Sequence, residues 1–170
     1  LGNWSIRLDE VNDSTFKSMF AEQHEIINKL FQDFYLNNYK SWLIGNNDHP
    51  NLSHHLFDNI FLPIIKSDKK FILIIIDCFR MDQWKKISSI LRSDFNINES
   101  SHFSIIPTAT PFARNSIFSG LTPYALKSKY PDLWGKMFKE GKMNGYEDEL
   151  FVNKLKSEGI DKSYKYVKIS

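Results

Sequence analysis

Six consecutive apolar residues, Phe-Ile-Leu-Ile-Ile-Ile at positions 71–76, constrain the fold more than any other feature of this 170-residue sequence. An unbroken run rich in β-branched side chains is typical of a strand that is buried on both faces, as in the middle of a parallel sheet. The run is far shorter than the roughly 20 apolar residues that a membrane helix needs. It therefore predicts a central strand at residues 71–76, ended by Asp77.

The sequence after this run alternates between two types of regular structure. Apolar residues at helical spacing predict a helix at residues 81–95, and residues 102–106 are a second strand candidate. Helices are predicted again at residues 111–121 and 147–158, the latter closed by Gly159. Alternating strands and helices are typical of an α/β fold, so we expect a parallel sheet flanked by helices.

The sequence before the run has an all-helical pattern. Apolar residues between positions 12 and 44 recur every three or four residues, which predicts one long amphipathic helix. Asn12 or Asp13 would cap its start, and Gly45 would end it. A shorter helix is predicted at residues 54–65. We therefore expect an all-α region in front of the sheet.

Charge and cysteine content exclude several classes of protein. The chain has 22 Lys and Arg against 20 Asp and Glu, interspersed along the sequence, which argues against a broad nucleic-acid-binding surface. The single cysteine, Cys78, excludes an intrachain disulfide and a cysteine-rich zinc module. It also fits a reducing compartment. We expect a cytoplasmic protein that does not insert into a membrane.

Two residues that follow the strand candidates could carry chemistry, because open parallel sheets bind ligands outside the carboxyl ends of their strands. Asp77 ends the first strand, and a carboxylate at the tip of a buried strand needs a metal ion or a positive group as its partner. Thr110 precedes Pro111 at a predicted helix start, where amide hydrogens and the helix dipole stabilise an anion. Either residue could instead be a helix cap. Alternatively, both share a divalent cation that activates the threonine hydroxyl as a nucleophile.

Two polar residues on the same predicted helix are candidates for binding a phosphate group. Arg114 lies four residues after Thr110, on the same helical face. Its guanidinium could hold a phosphate oxygen, or it could pair with a carboxylate. Asn115 is a second candidate donor to phosphate.

These residues lie within motifs that resemble the PglZ domains of the alkaline phosphatase superfamily, most closely those of the PorX-like response regulators of Bacteroidetes. The motifs are Ile76-Asp77, Arg80, Asp82-Gln83-Trp84-Lys85, Pro107-Thr108-Ala109-Thr110, Ala113-Arg114-Asn115, Ile117-Phe118-Ser119-Gly120-Leu121 and Glu140-Gly141-Lys142. In addition, Asn38-Tyr39-Lys40-Ser41-Trp42 and Ser53-His54 resemble the helical bundle that precedes the domain in these regulators. The resemblance implies a helical bundle or linker region at residues 1–68. Residues 69–170 would then be the N-terminal part of a PglZ-like domain with an alkaline-phosphatase-like sheet, its C-terminal part lying beyond residue 170.

The resemblance also implies a metal-dependent phosphodiesterase or phosphatase, with two zinc ions in the complete domain. Asp77 would be a zinc ligand, and Thr110 would be both the nucleophile and a second metal contact. Arg114 and Asn115 would bind the substrate, a phosphodiester or nucleotide-type molecule. The remaining zinc ligands are expected beyond residue 170.

Two functions follow from the resemblance. In the first, the chain is the effector portion of a two-component response regulator linked to type IX secretion, with protein partners in that pathway and with homodimerisation. In the second, the same fold is a non-catalytic regulatory scaffold that dimerises and binds protein partners. Only the first requires the hydroxyl of Thr110.

Overall fold

The computed structural model describes Leu8 and residues 13–45, 49–67 and 69–169. The helices in chain order are α1 (Ser14–Ile44), a 3-10 turn (Ser53–His55), a π-helical turn (Phe57–Phe61), α2 (Leu62–Lys66), α3 (Met81–Leu91), α4 (Thr110–Ser119), α5 (Pro123–Lys129), α6 (Pro131–Lys139) and α7 (Glu147–Ser157). The chain divides into two compact units. The first contains the chain up to His49 together with Ile75–Ser100, and the second contains Pro50–Ile74 and the chain from Ser101 onward.

The first unit is dominated by α1, which spans 31 residues. Asp13 caps its start, because one carboxylate oxygen accepts two backbone N–H groups of the first turn, at 2.8 and 3.4 Å. Gly45 ends the helix in the left-handed region, with φ of 77°, where residues with a side chain are strained. The predicted long helix is therefore confirmed over the described residues. The alternative cap, Asn12, lies outside them.

The rest of the first unit is built around α3, and Glu99 folds back against this helix. The indole N–H of Trp84 donates to the Glu99 carboxylate at 3.0 Å, and Lys85 and Arg92 lie 3.4 and 3.2 Å from it. The hydrogen bond from Trp84, followed by the charge of Lys85, lowers the pKa of Glu99. These contacts hold the segment after α3 close to the helix.

The predicted parallel sheet is wrong for the described part of the chain. Residues 71–76 form no regular secondary structure there and pair with no strand, and the second strand candidate contributes one isolated parallel bridge, between Leu52 and Phe103. Ile72 is 87% exposed, whereas a central strand would bury it. A β-branched run favours extended backbone, but a strand forms only where a second segment supplies the ladder of hydrogen bonds. The predicted α/β class with an alkaline-phosphatase-like sheet is therefore wrong, and the described residues form a helical architecture.

The second unit begins with one helical stretch made of three helix types: the 3-10 turn, the π-helical turn and α2. Pro63 lies in the first turn of α2 and has no N–H to donate to the carbonyl of Asn59, four residues earlier. The wide π-helical turn ends at Phe61, two residues before this proline. The predicted shorter helix is thus present, and the proline accounts for its irregular centre.

The core of the second unit forms between this stretch and α7. Phe57, Ile65 and Leu155 are buried together, and Phe151 and Ile160 pack at the edge of the cluster. Helix α4 packs against α7 and against the 3-10 turn. The core therefore fixes the position of α4, the helix that carries three of the predicted site residues.

Residues 160–169 form no helix or strand and are held to the second unit by side chains. The ammonium group of Lys162 donates to the carbonyls of Ile65 and Ser67, at 2.9 and 2.7 Å. Lys168 donates to the carbonyl of Asn144 at 3.2 Å.

None of the helices described for this chain combines the length and the apolar composition of a membrane span.

Candidate functional site

Thr110 is the first residue of α4, and Pro111 follows it in the first turn. The cap residue is Ala109, one position before the residue that the sequence predicts, and its carbonyl accepts the N–H groups of Phe112 and Ala113 at 3.0 Å. A shift of one residue is within the usual variation in how helix ends are assigned. Thr110 therefore lies at the positive end of the helix dipole, where an anion is stabilised.

An open groove of about 570 Å³ lies beside the start of α4. Its walls are formed by Pro111, Gly141, Lys142, Met143, Asn144, Gly145 and Lys168. Both charged residues of this lining are lysines. Lys142 lies 3.8 Å from the carboxylate of Glu140, and Lys168 is anchored to the carbonyl of Asn144. Two ammonium groups beside a helix N-terminus are suited to an anion such as phosphate.

Arg114 forms an ion pair with the buried carboxylate of Glu147. One guanidinium N–H donates to the Glu147 carboxylate at 2.7 Å, and the two side chains are 18% and 0% exposed. The hydroxyl of Tyr166 donates to the same oxygen at 3.0 Å. Burial, together with this hydrogen bond, raises the pKa of Tyr166 to about 12. The structure thus shows Arg114 paired with a carboxylate, and its predicted contact with substrate stays a prediction.

Asn115 connects α4 to the wall of the groove. Its side chain is buried, and its amide group donates to the carbonyl of Met143 at 2.9 Å and to the sulfur of Met137 at 3.7 Å. Its side-chain oxygen makes no hydrogen bond to any residue that the structure describes. Because Met143 lines the groove, Asn115 holds the groove wall against α4. Direct binding of substrate by Asn115 stays a prediction.

Asp77 lies in the first unit, whereas Thr110, Arg114 and Asn115 share α4 in the second. The Asp77 side chain is exposed, and one of its carboxylate oxygens accepts the N–H of Cys78 at 2.9 Å. Asp77 does not cap α3, because that position belongs to Arg80. Its predicted role as a metal ligand stays a prediction.

The described side chains do not form a complete zinc site. Zinc in proteins takes three or four protein ligands from cysteine, histidine and carboxylate side chains. Within the described ranges, no group of three or more His, Cys, Asp or Glu side chains is placed to hold a metal ion. The two predicted metal contacts, Asp77 and Thr110, supply one carboxylate and one hydroxyl and do not complete such a site.

No role was predicted for Glu147, Tyr166, Lys142 or Lys168. Glu147 is the first of three acidic residues in the first turn of α7. Acidic residues at this position are usually exposed and interact with the helix dipole. Its burial depends on Arg114, 33 positions away, and has no local signal. Lys142 lies in the Glu140-Gly141-Lys142 motif, so the resemblance could have identified it.

Residues 56–169 match the family described as the BREX system PglZ alkaline phosphatase-like domain. This description defines the class as alkaline phosphatase-like, within a phosphoesterase-like superfamily whose members commonly use metal ions. Because the match spans more than half of the sequence, the chain belongs to the PglZ family. A comparison with curated protein sequences finds no match. The predicted resemblance to PglZ domains is confirmed, and all four predicted site residues lie within the matched range.

Proposed function

We propose that this chain binds a phosphate ester at the start of α4 and presents the hydroxyl of Thr110 as the nucleophile toward phosphorus. The family match carries the proposal, because it places residues 56–169 in an alkaline phosphatase-like family. The position of Thr110 at the positive end of α4 supports it. The groove beside Pro111 adds Lys142 and Lys168, whose charges would attract the anionic substrate.

The proposed substrate site extends along α4. Arg114 lies one helical turn after Thr110, and a guanidinium carries five N–H donors, so it can hold Glu147 and a phosphate oxygen together. Asn115 would fix the loop around Met143, which forms the wall of the groove. In this arrangement Arg114 contacts the substrate, and Glu147 orients Arg114.

The finer identity rests on the sequence motifs. We propose that the complete protein is a cytoplasmic, PorX-like response regulator linked to type IX secretion, acting on a phosphodiester or nucleotide-type substrate. The motifs around Asp77 and Thr110 and the helical segments at residues 38–42 and 53–54 support this assignment. Two zinc ions, one of them bound by Asp77, belong to the same proposal, and their other ligands would come from outside the described residues.

The test is hydrolysis of bis(p-nitrophenyl) phosphate by the complete protein, with zinc content measured by mass spectrometry in the same samples. Thr110→Val keeps the shape of the side chain and removes the hydroxyl, so hydrolysis should be lost. The matched control, Thr110→Ser, keeps a hydroxyl and should retain part of the activity. Undiminished hydrolysis by Thr110→Val would exclude Thr110 as the nucleophile.

Measurements on the same samples distinguish the catalytic function from the non-catalytic scaffold function. Asp77→Asn should lower zinc content if Asp77 is a ligand, and unchanged zinc would contradict that role. A wild-type protein with neither zinc nor hydrolysis would favour the non-catalytic scaffold. Because Thr110→Val also alters the first turn of α4, its unfolding free energy must be compared with that of Thr110→Ser.

A further inference from the structure

Residues 160–169 follow α7, and we call them the post-α7 segment. Ile160 packs at the edge of the core cluster of the second unit. The ammonium group of Lys162 donates to two backbone carbonyls at the end of α2. The ring of Tyr164 packs on that of Phe151, with 5.7 Å between the ring centroids. These contacts fix the position of the residues that come next in the segment.

Lys168 brings an ammonium group into the groove beside the start of α4. It donates to the carbonyl of Asn144 at 3.2 Å. An ammonium group has three N–H donors, so Lys168 can hold this carbonyl and an oxygen of a bound phosphate together. Lys142, the other lysine of the lining, is 71% exposed and lies 3.8 Å from the carboxylate of Glu140, which offsets its charge. Lys168 is therefore the better placed of the two lysines to bind a phosphate group.

Tyr166, two residues before Lys168, acts on the same site through a carboxylate. Its hydroxyl donates at 3.0 Å to the oxygen of Glu147 that also accepts Arg114. Its ring packs on Phe118 of α4, with 6.3 Å between the ring centroids. Because Glu147 is fully buried, the hydroxyl restricts the orientation of its carboxylate and, through it, that of the Arg114 guanidinium.

We propose that the post-α7 segment completes the phosphate-binding site at the start of α4. Lys168 binds a phosphate oxygen directly, and Tyr166 is a positioning residue that orients Arg114 through their shared carboxylate. This inference rests on the proposed function, because it takes the start of α4 as the place where phosphate binds. It extends that function by assigning separate roles to two residues of a segment that has no regular structure.

The test is isothermal titration calorimetry of inorganic phosphate into the full chain, with substitutions in the post-α7 segment. Lys168→Met should raise the dissociation constant roughly tenfold, because it removes a charged hydrogen-bond donor. The matched control is Lys165→Met, which removes the same charge from an exposed position outside the groove lining and should change the constant by less than about twofold. Tyr166→Phe should raise the constant roughly threefold. Its control, Tyr164→Phe, keeps the ring that packs on Phe151 and should leave the constant unaltered.

A double variant shows whether Tyr166 acts through Arg114. Arg114→Lys keeps the positive charge but removes the guanidinium fork that can bridge Glu147 and phosphate, so it should itself weaken phosphate binding. Tyr166→Phe added to Arg114→Lys should then cause no further loss. A general loosening of the second unit would instead weaken binding by the same factor with either residue at position 114.

The outcomes separate this inference from the proposed function. Unchanged affinity in Lys168→Met, beside weaker binding in Arg114→Lys, would overturn the role of Lys168 and leave the α4 site standing. An equal loss from Tyr166→Phe with arginine or with lysine at position 114 would overturn its positioning role. A wild-type chain that binds no phosphate would overturn the α4 site itself, and this inference with it.

Discussion

The guanidinium of Arg114 and the carboxylate of Glu147 lie 2.7 Å apart and join α4 to α7, across 33 positions of sequence. Tyr166, in the segment that follows α7, donates to the same carboxylate oxygen. Three separate parts of the second unit thus meet at one buried charge. Because Thr110 begins the helix that carries Arg114, this contact also holds the candidate nucleophile in place.

Glu147→Gln should destabilise the second unit strongly. The substitution keeps the shape of the side chain but removes the negative charge, which leaves the guanidinium of Arg114 in a site that is largely closed to water. Breaking a buried pair in this way lowers the free energy of unfolding by about 3 kcal/mol. Urea denaturation measures the loss. The control, Glu149→Gln, changes an exposed residue of the same helix and should cost less than about 0.5 kcal/mol.

Tyr166→Phe should make stability less dependent on alkaline pH. Burial, followed by the hydrogen bond to Glu147, raises the Tyr166 pKa from 10.0 to about 12, so the folded state holds this proton more tightly than the unfolded chain. The resulting stability is complete below pH 10 and is lost as the pH rises towards 12.

Urea denaturation at a series of alkaline pH values measures this dependence. The free energy of unfolding should fall less steeply with pH in Tyr166→Phe than in the wild type. Tyr124→Phe is the control, because Tyr124 is 82% exposed and should leave the slope unchanged. Equal slopes in the wild type and Tyr166→Phe would show that Tyr166 does not titrate differently in the two states.

The parts of the fold that could be predicted from sequence are those specified by neighbouring residues. The cap at Asp13 and the helix end at Gly45 each depend on contacts within one turn, and both are found. Helices α5 and α6 also have a local signal, although neither helix was predicted. Thr122 accepts the N–H of Ala125 directly before α5, and each of the two helices begins with a proline.

The parts that could not be predicted depend on distant partners. The run at residues 71–76 has the composition of a buried strand, but composition does not provide the neighbouring strand that would pair with it. The ion pair of Arg114 with Glu147 is similar, because an arginine suited to phosphate is equally suited to a carboxylate. Sequence alone therefore identified α4 as the helix of interest without showing which groups surround it.

Lys154→Met should weaken the second unit and reduce its sensitivity to acid. The ammonium group of Lys154 lies 2.7 Å from the carboxylate of Asp58 and 2.8 Å from that of Glu158, and its side chain is 14% exposed. The hydrogen bond from Lys154 lowers the pKa of Glu158. Glu158 therefore contributes stability above its ordinary pKa of 4.5, and this contribution is lost as the pH falls below that value.

Methionine preserves most of the aliphatic packing of Lys154 and removes the charge. We expect a loss of about 1–2 kcal/mol at neutral pH and a flatter dependence of unfolding free energy on pH in the acidic range. Lys156→Met, an exposed position on the same helix, is the control and should preserve the wild-type profile. An acid profile that Lys154→Met leaves unchanged would contradict the assignment of the shift to this lysine.

Phe57→Ala should destabilise the second unit strongly, whereas Phe16→Ala should cost little. Phe57 is fully buried against Ile65 and Leu155, so its truncation should cost about 4 kcal/mol at any protein concentration. Phe16 is 55% exposed, and in dilute solution Phe16→Ala should cost less than about 1 kcal/mol. Urea denaturation measures both costs, and a loss of less than about 1 kcal/mol in Phe57→Ala would contradict its place in the core.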